Sequence, residues 1–176
     1  MKKRHFAIIL SGVLMLCTAC AAAAIPGIDE LTPVPQTLLT DTVTIPLYAG
    51  PTVQYPEIGQ NAFDPSKPYV CFGQSDCWAM VASGTPDEPG ITGWIETAAL
   101  NMDSMTELSF SNRLSAMVED PAPLTFSLNE ADAPVFCTLP RGTDIQILAR
   151  YGAQLYIETE LDSGPVRGFI PEAAVE

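Results

Sequence analysis

The stretch TGWIETAAL at residues 92–100 returns as RGFIPEAAV at 167–175. Both run through Gly, an aromatic residue and Ile, then reach Ala-Ala and an aliphatic residue. One occurrence would be an ordinary strand and turn. Two point to one structural unit built twice.

Working outward, the residues before each copy fall into short apolar or alternating runs. TVTIPLY, YVCF and CWAMVAS precede the first copy, separated by AGPTVQYPEIGQ, GQSD and SGTPDEPG. LTFSL, DIQILARY and QLYIETE precede the second, separated by PRGT, YGA and LDSGPV. Short strands at frequent turns of Gly, Pro, Asp and Ser predict an all-β protein. The gapless alignment lays Tyr55-Pro56-Glu57-Ile58 on Ala133-Pro134-Val135-Phe136, and Tyr48 on Phe126. With small shifts, Trp78-Ala79-Met80-Val81 falls on Leu155-Tyr156-Ile157-Glu158, and Gly93-Trp94-Ile95 on Gly168-Phe169-Ile170. The repeated glycine is expected to let a neighbouring strand approach closely.

The N-terminal residues read as an export signal. Lys2, Lys3 and Arg4 precede an apolar run from Phe6 to Leu16, then Thr18, Ala19 and Cys20. This is the charged, apolar and small-residue order of a secretory signal over residues 1–19. The run is shorter than the roughly 20 apolar residues of a spanning helix. The ending LCTAC resembles the lipobox of bacterial lipoproteins, with Cys17 where that family usually has Leu. The resemblance implies that Cys20 is acylated and becomes the N-terminus; cleavage and release is the alternative. Two or more acyl chains give stable anchoring where one does not. Residues 20–41, with Pro26, Pro33 and Pro35, are expected to form a tether from membrane to body.

Charge and histidine exclude whole classes of function. The chain has 8 basic and 21 acidic side chains, and three of the basic ones lie in the signal. The exported body therefore keeps five against 21, a net charge of −16. Such a body repels nucleic acid and anionic polymers. His5, inside the signal, is the only histidine, so the body has no imidazole for nucleophilic catalysis or a metal site. No catalytic residue, metal or cofactor is expected. Glu158, Glu160 and Asp162 alternate along one strand and read as a solvated face, since calcium needs 6–8 oxygens from several directions.

Cys71 and Cys77 flank a Gly-Gln-Ser-Asp turn, a spacing that lets them face across a hairpin. In an oxidising compartment a disulfide between them is an expectation. Cys137 reads as a small apolar residue. Residues 101–123 contain Met105, Leu108, Leu114, Met117 and Val118 at partly helical spacing, so a short helix and a linker strand both stand open.

The body resembles bacterial SH3-like domains, small β-barrels often found in tandem in exported envelope proteins. LYAGPTVQYPEIG, CWAMV, LPRGTDIQIL and the two closing stretches carry the resemblance. The sequence departs from the family at NAFDPSKPYVCF and SLNEADAPVF. The resemblance implies two barrels, at 42–100 and 124–176. It also implies a ligand groove beside the variable loops, at Tyr48, Tyr55, Trp78 and Trp94, with a place in the core as the alternative for the two tryptophans. The Gly50-Pro51 loop flanked by Tyr48 and Tyr55, against Phe126 and Ala133 in the second unit, points to the first unit as the one that binds and the second as its support. The expected function is non-catalytic recognition of a peptide or protein partner at the cell envelope, with membrane contact through the lipid alone. Peptidoglycan targeting is the alternative, and a carboxylate-only enzyme the third reading.

Overall fold

The computed structural model describes residues 25, 27–36, 45–58, 68–100, 105–129 and 133–175. The signal and Cys20 lie outside them. The described chain is all-β, without an α-helix, and no helix in it is long and apolar enough to cross a membrane.

Among the described residues, ten strands form two antiparallel sheets. The first has the order β1 (Val34–Gln36), β2 (Tyr69–Ser75), β3 (Trp78–Gly84), β4 (Pro89–Glu96). The second is built from β5 (Leu114–Met117), β6 (Ala122–Thr125), β7 (Val135–Leu139), β8 (Asp144–Tyr151), β9 (Gln154–Leu161) and β10 (Gly164–Pro171). Its order is β5-β8-β9-β10-β6-β7. The two Ala-Ala endings are both single 3-10 turns, Thr97–Ala99 and Glu172–Ala174.

The described residues do not build two closed barrels. In the first unit Tyr48 makes only isolated bridges, to Glu57 and Trp94. Pro46 and Pro51 stand near it, and proline cannot donate to a ladder. β1 occupies the opposite edge of the sheet, paired to β2 through Val34↔Cys71 and Gln36↔Tyr69. Residues 27–36 therefore do not act as tether. Leu31 is buried and its N–H donates to the Arg150 carbonyl at 2.7 Å, while the Arg150 N–H donates to Asp29 at 2.8 Å. The Arg150 guanidinium bonds Glu172 at 2.7 Å and the Ile25 carbonyl at 3.1 Å, closing the clamp.

Residues 105–123 are likewise not a helical linker. β5 pairs with β8 and belongs to the second sheet. Leu114–Met117 extends along Asp144–Ile147 instead, and Pro121 and Pro123 would end any helix that started here.

The two units share their cores. β3 sends Ala79 and Val81 into one apolar cluster and Trp78, Met80 and Ala82 into the other. β9 divides the same way, with Leu155 and Ile157 in the first and Tyr156 in the second. Both faces of these central strands are covered, so their sequences read as continuous apolar runs. The units are also joined along the backbone, through Thr92 N–H to Phe126 O at 2.6 Å and Arg167 N–H to Ala49 O at 3.1 Å.

The repeated glycines sit where a strand crosses tightly. A Cβ on Gly93 would lie 2.5 Å from Leu47 Cγ, and one on Gly168 would lie 2.8 Å from the Thr125 carbonyl oxygen. These contacts also set the true register of the repeat. Met80 pairs with Trp94, and Tyr156 with Phe169. Since Trp94 and Phe169 hold the same place, Met80 corresponds to Tyr156 and Trp78 to Gln154, one residue from the sequence alignment. Tyr48 bridges Trp94 as Thr125 pairs with Phe169, so Tyr48 corresponds to Thr125, not Phe126. A one-residue slip in a strand moves every side chain to the opposite face.

Candidate functional site

The four aromatic residues predicted to line a groove are packed instead. Trp94 is wholly buried at the centre of β4 and donates its indole N–H to the Tyr156 hydroxyl at 2.7 Å. Trp78 is 7% exposed and meets the half-buried Tyr48 ring edge-on, with centroids 5.4 Å apart. Tyr55 is half-buried and lies flat over Gly50, where a Cβ would collide with its ring. Its hydroxyl donates to Glu158 Oε2 at 2.7 Å.

That hydrogen bond leads to Arg167, which the sequence did not single out, and takes Glu158 from the solvated face expected of it. Arg167 and Glu158 face each other across β10 and β9, and Arg167 Nε donates to the same Glu158 oxygen at 2.5 Å. The guanidinium lies 5.5 Å from the Tyr55 ring centre, 5.5 Å from Phe110 and 5.9 Å from Trp94. Arg167 is thus held by one carboxylate and three aromatic faces, each cation–π contact worth about 0.5–2 kcal/mol. Phe110 reaches this position at φ 44°, a backbone region that bulky residues avoid. The signal was present in the sequence. Arg167 is a lone charge within GPVRGFIP, and a buried arginine needs a partner.

The electrostatics of this group suit a clamp rather than proton transfer. Burial alone would raise Glu158, but the Tyr55 hydroxyl and the Arg167 charge outweigh it and hold the carboxyl below its ordinary value. Burial, with Glu158 beside it, pushes the Tyr55 phenol up. The carboxylate stays ionised and the phenol protonated, so neither is poised to exchange a proton at neutral pH. Glu158 is also spoken for as a calcium ligand, and among the described residues no cluster of three acidic, Cys or His side chains could hold a metal.

The cysteines are not joined. Cys71, Cys77 and Cys137 are all free thiols. The hairpin turn is Asp76-Cys77, because Ser75 pairs with Trp78, whereas Cys71 pairs with Val81 further along the ladder. Four residue steps along the strand separate Cys71 from Ser75, roughly 13 Å at ~3.3 Å each. A disulfide needs Cα atoms within about 7 Å. Cys71 lines a cavity of about 260 Å3 with Val34, Phe72 and Met105, its Sγ 3.6 Å from Met105 Sδ. Burial pushes its thiol up to about 11, so it is no nucleophile at neutral pH.

A second cavity, of about 210 Å3, opens in the second unit between the β6–β7 pair and the ends of β9 and β10. Phe169 forms part of its wall, with Thr125, Ala133, Val135, Gln154 and the prolines 123 and 171. Val135, on the edge strand β7, is 55% exposed, and Phe136 beside it is 43% exposed. The register of the repeat gives this cavity its meaning. Thr125, Gln154 and Phe169 hold the places of Tyr48, Trp78 and Trp94. Ala133 stands two residues before Val135 as Tyr55 stands two before Glu57, and Val135 and Glu57 pair with equivalent residues. The four positions expected to bind in the first unit are filled there by their own rings. In the second unit the same positions, with smaller side chains, leave an open pocket.

No family model matches this chain, and no curated protein matches it. Two solved structures from Trichomonas vaginalis resemble it, NlpC1 at 15% identity and TM-score 0.32, and NlpC2 at 18% and 0.33. Each alignment covers 84% of this chain but only 46% and 49% of the respective neighbour, so the chain spans about half their length. A likeness this loose says nothing about function.

Proposed function

We propose that this chain works as an exported, lipid-anchored, non-catalytic binding module that recognises a peptide or protein partner at the cell envelope. The observation that carries the reading is the apolar pocket at Thr125, Ala133 and Phe169, with the exposed Val135 in its wall. Exposed apolar residues grouped around a cavity are a frequent mark of recognition surfaces. The LCTAC sequence supports anchoring through Cys20. Arg141, Arg150 and Arg167 are each paired with a glutamate, which leaves a surface dominated by carboxylates. That surface favours a cationic partner over anionic wall polymers.

The test is a cross-linked pull-down from intact cells expressing the full chain, beside a pull-down on purified peptidoglycan at low and high salt. A protein cross-linked in cells, with no retention on the wall material, is the expected result. Salt-insensitive retention on peptidoglycan would overturn it. Mass spectrometry of the N-terminal peptide tests the anchor, the expected product being an acylated Cys20.

A further inference from the structure

We infer that the second-unit pocket receives a single aromatic side chain from an extended partner peptide whose neighbouring residues are Lys or Arg. The inference rests on the binding-module reading above and names the chemistry of its ligand. The first unit supplies the template. There, Tyr48 and Trp78 fill the equivalent space with aromatic rings, edge to face at 5.4 Å. The second unit keeps the buried aromatic wall, Phe169 for Trp94, and replaces the filling rings by Thr125 and Gln154 and the covering ring of Tyr55 by Ala133. What one repeat provides within its own chain, the other leaves to a partner.

The size of the space agrees. About 210 Å3 is below the ~300 Å3 at which whole small-molecule sites begin, and suits one large side chain. Phe169, Val135 and Pro171 offer an apolar lining, against which an aromatic ring gains both burial and edge-to-face contact. The polar groups at the rim are already engaged. Thr125 Oγ1 donates to Ser127 O at 3.2 Å, so the pocket selects an apolar ring rather than a sugar or an anion. Val135 begins β7, the outer strand of the six-stranded sheet, beside which an extended peptide can lie. The charge of the flanking residues follows from the −16 net charge of the exported body.

The experiment titrates the purified full-length body with three synthetic peptides, Lys-Lys-Tyr-Lys-Lys, Lys-Lys-Ala-Lys-Lys and Glu-Glu-Tyr-Glu-Glu, all capped at both ends. Binding is read by calorimetry and by NMR shifts of residues around Phe169. The expected result is that the Lys-Tyr peptide binds at least tenfold tighter than either of the others. Ala133→Tyr, which restores the ring the first unit carries, should abolish that preference. Val135→Asp, at an exposed position, should weaken it at least tenfold and covers the case in which Ala133→Tyr fails to fold. Equal affinity for the tyrosine and alanine peptides, or preference retained in the folded variants, overturns the pocket assignment. Displacement of the tyrosine peptide by soluble peptidoglycan fragments overturns it in favour of wall recognition. If Val135→Asp still captures the cellular partner while the peptides fail, the module reading stands and the pocket is not its site. If wild type captures no partner in cells, the module reading itself falls.

Discussion

The indole nitrogen of Trp94 donates to the Tyr156 hydroxyl across 2.7 Å, joining β4 of the first sheet to β9 of the second where both side chains are buried. Burial is also what pushes the Tyr156 phenol far up, so the hydroxyl is a lasting acceptor. Tyr156→Phe keeps the ring contacts with Phe169 and Phe110 and removes only the oxygen. A buried indole N–H left without a partner costs about 1–3 kcal/mol. Denaturant unfolding of this variant should show that loss as a lower midpoint with an unchanged slope. An unchanged midpoint would mean the bond contributes nothing to joining the sheets.

The Glu158–Arg167 pair predicts an acid-sensitive core. The folded state holds Glu158 below its ordinary 4.5, so its contribution to stability is present above pH 4.5 and is lost as pH falls through the lower folded value. Glu158→Gln should flatten the stability profile in that acidic window. At neutral pH it should also cost about 3 kcal/mol, because the buried Arg167 charge loses its carboxylate. A wild-type profile that is flat below pH 4.5 would contradict this account.

The free thiols predict a graded reactivity. Cys77 sits exposed in the hairpin turn and should react with a thiol reagent in the native protein. Cys71, buried and pushed up to about 11, should react only on unfolding. Cys77→Ser should change stability by no more than ~0.5 kcal/mol, as exposed substitutions usually do. A loss of 2–4 kcal/mol under oxidising conditions would instead reveal a disulfide.

Gly168→Ala should destabilise by about 1–3 kcal/mol, since its Cβ would stand 2.8 Å from a backbone oxygen of Thr125 that cannot rotate away. Gly93→Ala meets the side chains of Leu47 and Ile58, which can repack in part. Thermal melts of the two variants should therefore rank Gly168→Ala as the more damaging. The reverse order would show that the Leu47 side chain is the more rigid obstacle.

Local signals made much of this legible in the sequence. The short apolar runs and their Gly, Pro and Asp turns determined the strands, because hairpin formation depends on neighbouring residues. The two Gly-aromatic-Ile stretches determined that the chain repeats itself, and their glycines mark the close crossings at Leu47 and Thr125. The four aromatic positions identified a real place in the repeat, but their sequence numbers pointed to the unit where that place is full.

Only the tertiary structure decided the rest, because it depends on pairs far apart in the chain. Tyr55 meets Glu158 across 103 residues, and Ile25 meets Glu172 across 147. No local pattern shows that residues 27–36 supply an edge strand to the first sheet, or that β5 joins β8. The register of the repeat was equally hidden, since its loops differ by a residue and strand side chains alternate with a period of two. That single residue separates Phe126 from Thr125 as the counterpart of Tyr48, and with it an occupied site from an open one. Composition marks most of the segments that extend as strands, while packing at a distance decides how they pair and which side chains are left without a ring to fill the space beside them.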